Sequence, residues 1–104
     1  MVKFMAIYYW PKEGEKFDEE YYRTKHLPMV KKEFPGTVSV TYCKVQPPEQ
    51  GGNPNVFGIG AASWKDMDSF QKDMGSPGKE RLLADIPNFA SCKLDLLVAV
   101  EEEI

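Results

Sequence analysis

The chain has 104 residues, 42% of them hydrophobic and 28% charged, with a net charge of −3. That length predicts one domain over residues 1–104, and the composition is that of an ordinary globular protein rather than a disordered or fibrous one. Lysines scattered among glutamates give no basic stripe, so nucleic acid is excluded as an expected partner, and no apolar run is long enough to cross a membrane.

The first fifteen residues, MVKFMAIYYWPKEGE, hold a short apolar stretch without a small-residue cleavage site, so a cytoplasmic protein is expected. Residues 2–10 read as a strand, β-branched and aromatic, ended by Pro11 and the turn residues that follow. Val2, Phe4, Ala6, Tyr8 and Trp10 form one face, and Lys3, Met5, Ile7 and Tyr9 the other. Both faces are largely apolar, so something must cover each of them.

The stretch from Phe17 to Gly36 predicts a helix with a marked start. Asp18 is placed to cap it, Glu19 and Glu20 lie at the positive end of its dipole, and Phe17 and Tyr22 stand at hydrophobic-staple positions. Tyr22, His26, Met29 and Val30 share one helix face, so the chain's single histidine sits on the buried stripe. Pro28 has no N–H for the carbonyl of Thr24, so the helix must kink or restart there. An imidazole, an opened turn and a tyrosine one turn earlier form a plausible place for proton chemistry on a small molecule. The simpler reading of these residues is purely structural: a partly buried histidine that bonds a backbone carbonyl and tightens the kink.

After a Pro35-Gly36 turn, residues 37–45 predict a second strand, and residues 46–55 a long polar hairpin loop. Gly51-Gly52 lacks the strand-to-helix context of a phosphate cradle. Residues 56–64 predict a third strand with Gly58, Gly60 and Ala62 on one face, nearly bare of side chains. Such a face marks either the close approach of a ligand or backbone, or a tightly packed helix. A short helix over 65–74, a break at Gly75-Ser76-Pro77-Gly78, a second helical piece over 79–85, a turn at 86–89 and a last strand over 91–100 complete the chain.

The order is βαββαβ. Right-handed crossovers give an antiparallel sheet of strand order 4-1-3-2 with both helices on one face, a ferredoxin-like α+β sandwich. The other face is apolar too, and a face-to-face homodimer would cover it. The topology puts Cys43 and Cys92 at opposite edges, ~14 Å apart at about 4.8 Å per strand, which excludes an intrachain disulfide. Both thiols are expected to be small buried groups, and with one histidine they match no metal-ligand spacing, so no metal is expected.

Two segments, FDEEYY…HLPM…PG and SPGKERLLADIPNFA, resemble the ethyl tert-butyl ether degradation (EthD) family. The first supplies Phe17-Asp18, Tyr22, His26, Pro28 and Pro35-Gly36, and the second Ser76-Pro77, Asp85, Asn88 and Phe89. The resemblance implies a dimeric α+β barrel of ferredoxin-like subunits, each with a pocket between helices and sheet and His26 at its wall. It also implies a setting of oxidative degradation of small molecules. Similar proteins include dehydratases, decarboxylases and cyclases of aromatic polyketides, and monooxygenases that need no separate prosthetic group.

The expectation is therefore a cofactor-free protein that takes a small hydrophobic or aromatic ligand. His26 would be its general acid or base, and Tyr22 would orient the substrate or stabilise an oxyanion. Tyr8, Tyr42, Trp64 and Phe89 would wall the pocket. Two alternatives use the same pocket: a non-catalytic binding or accessory protein for an oxygenase, and a haem binder with His26 as axial ligand.

Overall fold

A computed structural model describes residues 1–104. The four strands are β1 (Val2–Tyr9), β2 (Thr37–Lys44), β3 (Val56–Trp64) and β4 (Leu94–Val100), in the spatial order β2-β3-β1-β4. All pairings are antiparallel, with Phe4 opposite both Ala62 and Val98. This is the ferredoxin-like α+β sheet expected from the sequence, its order being 4-1-3-2 read from the other edge.

The last strand starts three residues later than the sequence suggests. Residues before it are diverted to a second partner: Asp18 N–H donates to Phe89 O (2.7 Å) and Ser91 N–H to Lys16 O (3.0 Å). An isolated bridge, Phe17 to Ala90, ties the start of the first helical segment to the end of the second.

The first helical segment is three joined pieces: α1 (Glu19–Tyr21), a π-helical stretch (Tyr22–His26) and α2 (Leu27–Glu33). Asp18 caps it by accepting from Tyr21 N–H at 3.1 Å, and the Phe17 and Tyr22 rings meet at 5.3 Å as the staple requires. Pro28 acts as the expected restart, in a particular form. The Leu27 N–H reaches back five residues to the carbonyl of Tyr22, and Pro28 falls in the first turn of α2, a position that tolerates proline. The widened turn holds Tyr22 and His26, both buried, with their rings stacked at 5.6 Å and 16°.

The second helical segment is α3 (Met67–Met74), capped by Asp66, followed by α4 (Gly78–Asp85) and a 3-10 turn (Ile86–Asn88). At Gly78 the helices α4 and α2 cross so closely that a Cβ would lie 2.7 Å from the carbonyl oxygen of Glu33. Arg81 pairs with Glu33 across the same crossing.

Two packed clusters lie between helices and sheet. One joins Val2, Phe34, Ala62, Trp64, Phe70 and Leu82, and the other Tyr8, Tyr22, Phe89 and Ala90. The bare face of β3 is explained by rings rather than by a ligand: a Cβ on Gly60 would lie 1.8 Å from the Tyr22 hydroxyl oxygen, and one on Gly58 would lie 2.7 Å from the Tyr42 ring.

Met5, Ile7, Ile59, Ala61 and Leu97 occupy the other face of the sheet, where no helix packs. Cys43 is exposed there, paired with Ile59 on the edge strand, instead of buried as expected, while Cys92 is half-buried. Both thiols are free.

Candidate functional site

Between the helices and the sheet is a cavity of about 350 Å³, large enough for a bicyclic organic molecule. Phe4, Ala6 and Tyr8 of β1, Gly60 and Trp64 of β3, Leu27 and Val30 of α2, and Leu82, Leu83 and Ile86 of the second helical segment line it. Tyr22 and His26 reach it from the π-helical stretch. Leu96 of β4 lines it and is 44% exposed, so the cavity is open to solvent there.

His26 is 6% exposed and packs against the Tyr22 ring and, at 4.6 Å, the Phe89 ring, which also touch each other. Its Nδ1 lies 2.9 Å from Asp85 Oδ2. The other carboxylate oxygen, Oδ1, accepts from the Tyr21 hydroxyl at 2.8 Å and from Asn88 Nδ2 at 3.0 Å. Asp85 is the last residue of α4, where the helix dipole disfavours a negative charge. Burial also pushes its carboxyl up, but the donors from Asn88, His26 and Tyr21 outweigh this and hold it below the ordinary carboxylate range.

An ionised Asp85 accepts and does not donate, so the proton between the two groups belongs to Nδ1 of His26. The ring is kept neutral by burial, which pushes its pKa below 6.5 against the opposing pull of Asp85. Nε2 has no protein partner and is not sealed in, because no buried side-chain polar atom lacks one. It is therefore a free lone pair on a residue of the cavity wall.

Tyr22 and Tyr8 stand side by side with ring centroids 5.0 Å apart. Burial drives both hydroxyls far above the ordinary phenol range, so each stays protonated and able to donate. Neither takes part in a side-chain hydrogen bond with a carboxylate, unlike Tyr42, whose hydroxyl donates to Glu19 Oε2 at 2.9 Å.

Of the residues anticipated for the site, His26, Tyr22, Tyr8 and Trp64 come together around the cavity. Phe89 and Tyr42 stand behind that wall: Phe89 is wholly buried against His26, and Tyr42 fills the space left by Gly58. Asp85 and Tyr21 were not anticipated as partners of His26. Asp85 is 59 positions away along the chain, and only the fold brings it near. Its one sequence signal was its place in the SPGKERLLADIPNFA segment. No group of three or more His, Cys, Asp or Glu side chains is arranged to hold a metal ion. No helix is long and apolar enough to cross a membrane.

Solved structures similar to this one share its whole length. An ethyl tert-butyl ether degradation family protein from Bacillus halodurans is 25% identical, with a TM-score of 0.77 over 98% of this chain and 99% of that one. An EthD-like protein from Ralstonia eutropha is 26% identical, with a TM-score of 0.73 over 94% of this chain and 89% of the other. SnoaB from Streptomyces nogalater, a cofactor-independent oxygenase, shares the fold at 16% identity, with a TM-score of 0.60 over 97% of this chain and 94% of SnoaB. No protein-family model and no curated protein matches the sequence. The EthD resemblance carried by the two sequence segments is thus borne out by structures that match from end to end.

Proposed function

We propose that this EthD-like protein binds a small hydrophobic or aromatic molecule in the cavity and moves a proton on it through His26, without a cofactor. The observation that carries the reading is the divided imidazole: Nδ1 committed to Asp85 and Nε2 left free on a residue of the cavity wall. A bound ligand with an acidic O–H or C–H gives its proton to Nε2. The imidazolium formed keeps its Nδ1–H on the Asp85 carboxylate, which stabilises the new charge. The Tyr22 hydroxyl, always protonated, donates to the oxyanion left on the ligand. Tyr8 and Trp64 hold the ligand body. SnoaB, a cofactor-independent oxygenase, has the same fold, so the fold is compatible with chemistry that needs no cofactor.

The test is a panel of hydroxylated aromatic compounds, followed by oxygen uptake and by mass spectrometry of products, with wild type and His26→Ala side by side. Turnover by wild type, lost in His26→Ala while ligand binding and the melting transition are kept, supports the proposal. Equal binding by both proteins with no turnover by either overturns it in favour of an accessory, ligand-sheltering role.

We further propose that the apolar sheet face of Met5, Ile7, Ile59, Ala61 and Leu97 packs against the same face of a second copy. Sedimentation measurements should give a dimer for wild type and a shift towards monomer for Ile59→Glu.

A further inference from the structure

The inward stripe of α4 and its following turn reads 79, 82, 83, 86, the spacing of one helix face. Three of those positions are Leu82, Leu83 and Ile86, but the first is Lys79. Lys79 is exposed, so it stands at the rim of the apolar cavity rather than in its interior. Its side chain takes part in none of the chain's four ion pairs. It lies in the wall of the cavity with the half-exposed Leu83 and Leu96. No carboxylate lines the cavity, since Asp85 is turned to the back of His26. With His26 neutral, Lys79 is the one charge that a bound molecule would meet.

We infer that the ligand is an amphipathic anion: an apolar or aromatic body in the cavity and a carboxylate, or an equivalent acidic group, at the mouth against Lys79. This rests on the cavity being the binding site proposed above, and it adds the chemical class of the ligand. A protein of net charge −3 repels small anions on average, so a preference for one needs a local cation such as this. The charge also sets direction. With its acidic group fixed at the mouth, the ligand presents the far end of its body to Nε2 of His26.

The experiment is calorimetric titration with naphthoate and with naphthamide, which share shape and differ in charge. It is done at pH 8, where His26 is neutral and Lys79 is the only cation in the cavity wall. Wild type should bind naphthoate about fivefold more tightly than naphthamide, the scale of one partly solvated charge contact. Lys79→Met should remove that preference, Lys79→Arg should keep it, and ~0.5 M salt should shrink it. Binding of naphthamide with no preference for naphthoate, or a preference that survives Lys79→Met, overturns the inference and leaves the cavity reading intact. Failure of both compounds to bind overturns the cavity reading and this inference together.

Discussion

The two ends of the core use the same device to opposite ends. At one end Asp73, 5% exposed, accepts from the Trp64 indole N–H at 2.8 Å and from the Gly36 backbone N–H at 2.9 Å. At the other, Asp85 accepts from His26, Tyr21 and Asn88. Asp73 ties down donors that never change their protonation, and so fixes the Pro35-Gly36 turn to the sheet. Asp85 ties down the one donor that can lose or gain a proton near neutrality, and leaves its second nitrogen free. A buried carboxylate is thus a fastener or a control on reactivity according to what it holds.

The largest effect is expected at the fastening end. Asp73→Ala leaves the Trp64 and Gly36 N–H groups unpaired in the interior, and should cost about 3 kcal/mol of stability, at roughly 1–3 kcal/mol for each orphaned donor. Thermal or urea unfolding measures it, and the His26 titration should be unmoved in whatever fraction stays folded. Next in size is Gly60→Ala. The added Cβ collides with the Tyr22 hydroxyl, and overpacking of this kind costs about 2 kcal/mol. Tyr22→Phe in the same chain should recover part of the loss, since it removes the atom that is struck.

At the Asp85 end the stability effect is smaller than at Asp73 and the electrostatic ones larger. Asp85→Asn should cost about 2 kcal/mol, because the amide keeps one accepting oxygen but turns its NH2 towards the donors that the other oxygen served. It should lower the His26 pKa further, since the carboxylate is what opposes the effect of burial, and it should lower turnover at least tenfold by leaving the imidazolium unsupported. A proton titration followed by NMR, with the turnover assay beside it, measures both.

The smallest effect is in pH dependence. His26 has a folded-state pKa below its unfolded value of 6.5, so the unfolded chain binds more protons between the two values. The stability it contributes is complete above about pH 6.5 and is lost as pH falls through the folded value. Unfolding curves between pH 5 and 8 should therefore slope less in His26→Gln than in wild type.

How much of this was legible in the chain follows from the range of each interaction. The helix start at Asp18, the break at Pro28 and the strand order come from local rules, and the sequence carries them within a few residues. The π-helical form of the break does not, because Pro28 requires only that the ladder be interrupted and several interruptions would do. The glycine face of β3 announced a close approach but not by what, and the answer lay in Tyr22 and Tyr42 on other elements. His26 was legible as a buried histidine beside a broken turn. Its partner Asp85 was not, since a hydrogen bond across 59 residues leaves no spacing to read. The outward Cys43 was misread because an apolar strand residue shows its period but not which face is covered.

The central claim is that the imidazole is neutral, protonated on Nδ1 and open at Nε2. The chain has a single histidine, so a long-range nitrogen–proton correlation spectrum contains one imidazole and needs no assignment. At pH 7.5 the spectrum should show the neutral Nδ1–H form, with Nε2 bare, and protonation only below pH 6.5. A ring protonated on Nε2 at that pH, or one that titrates above pH 6.5, would contradict it.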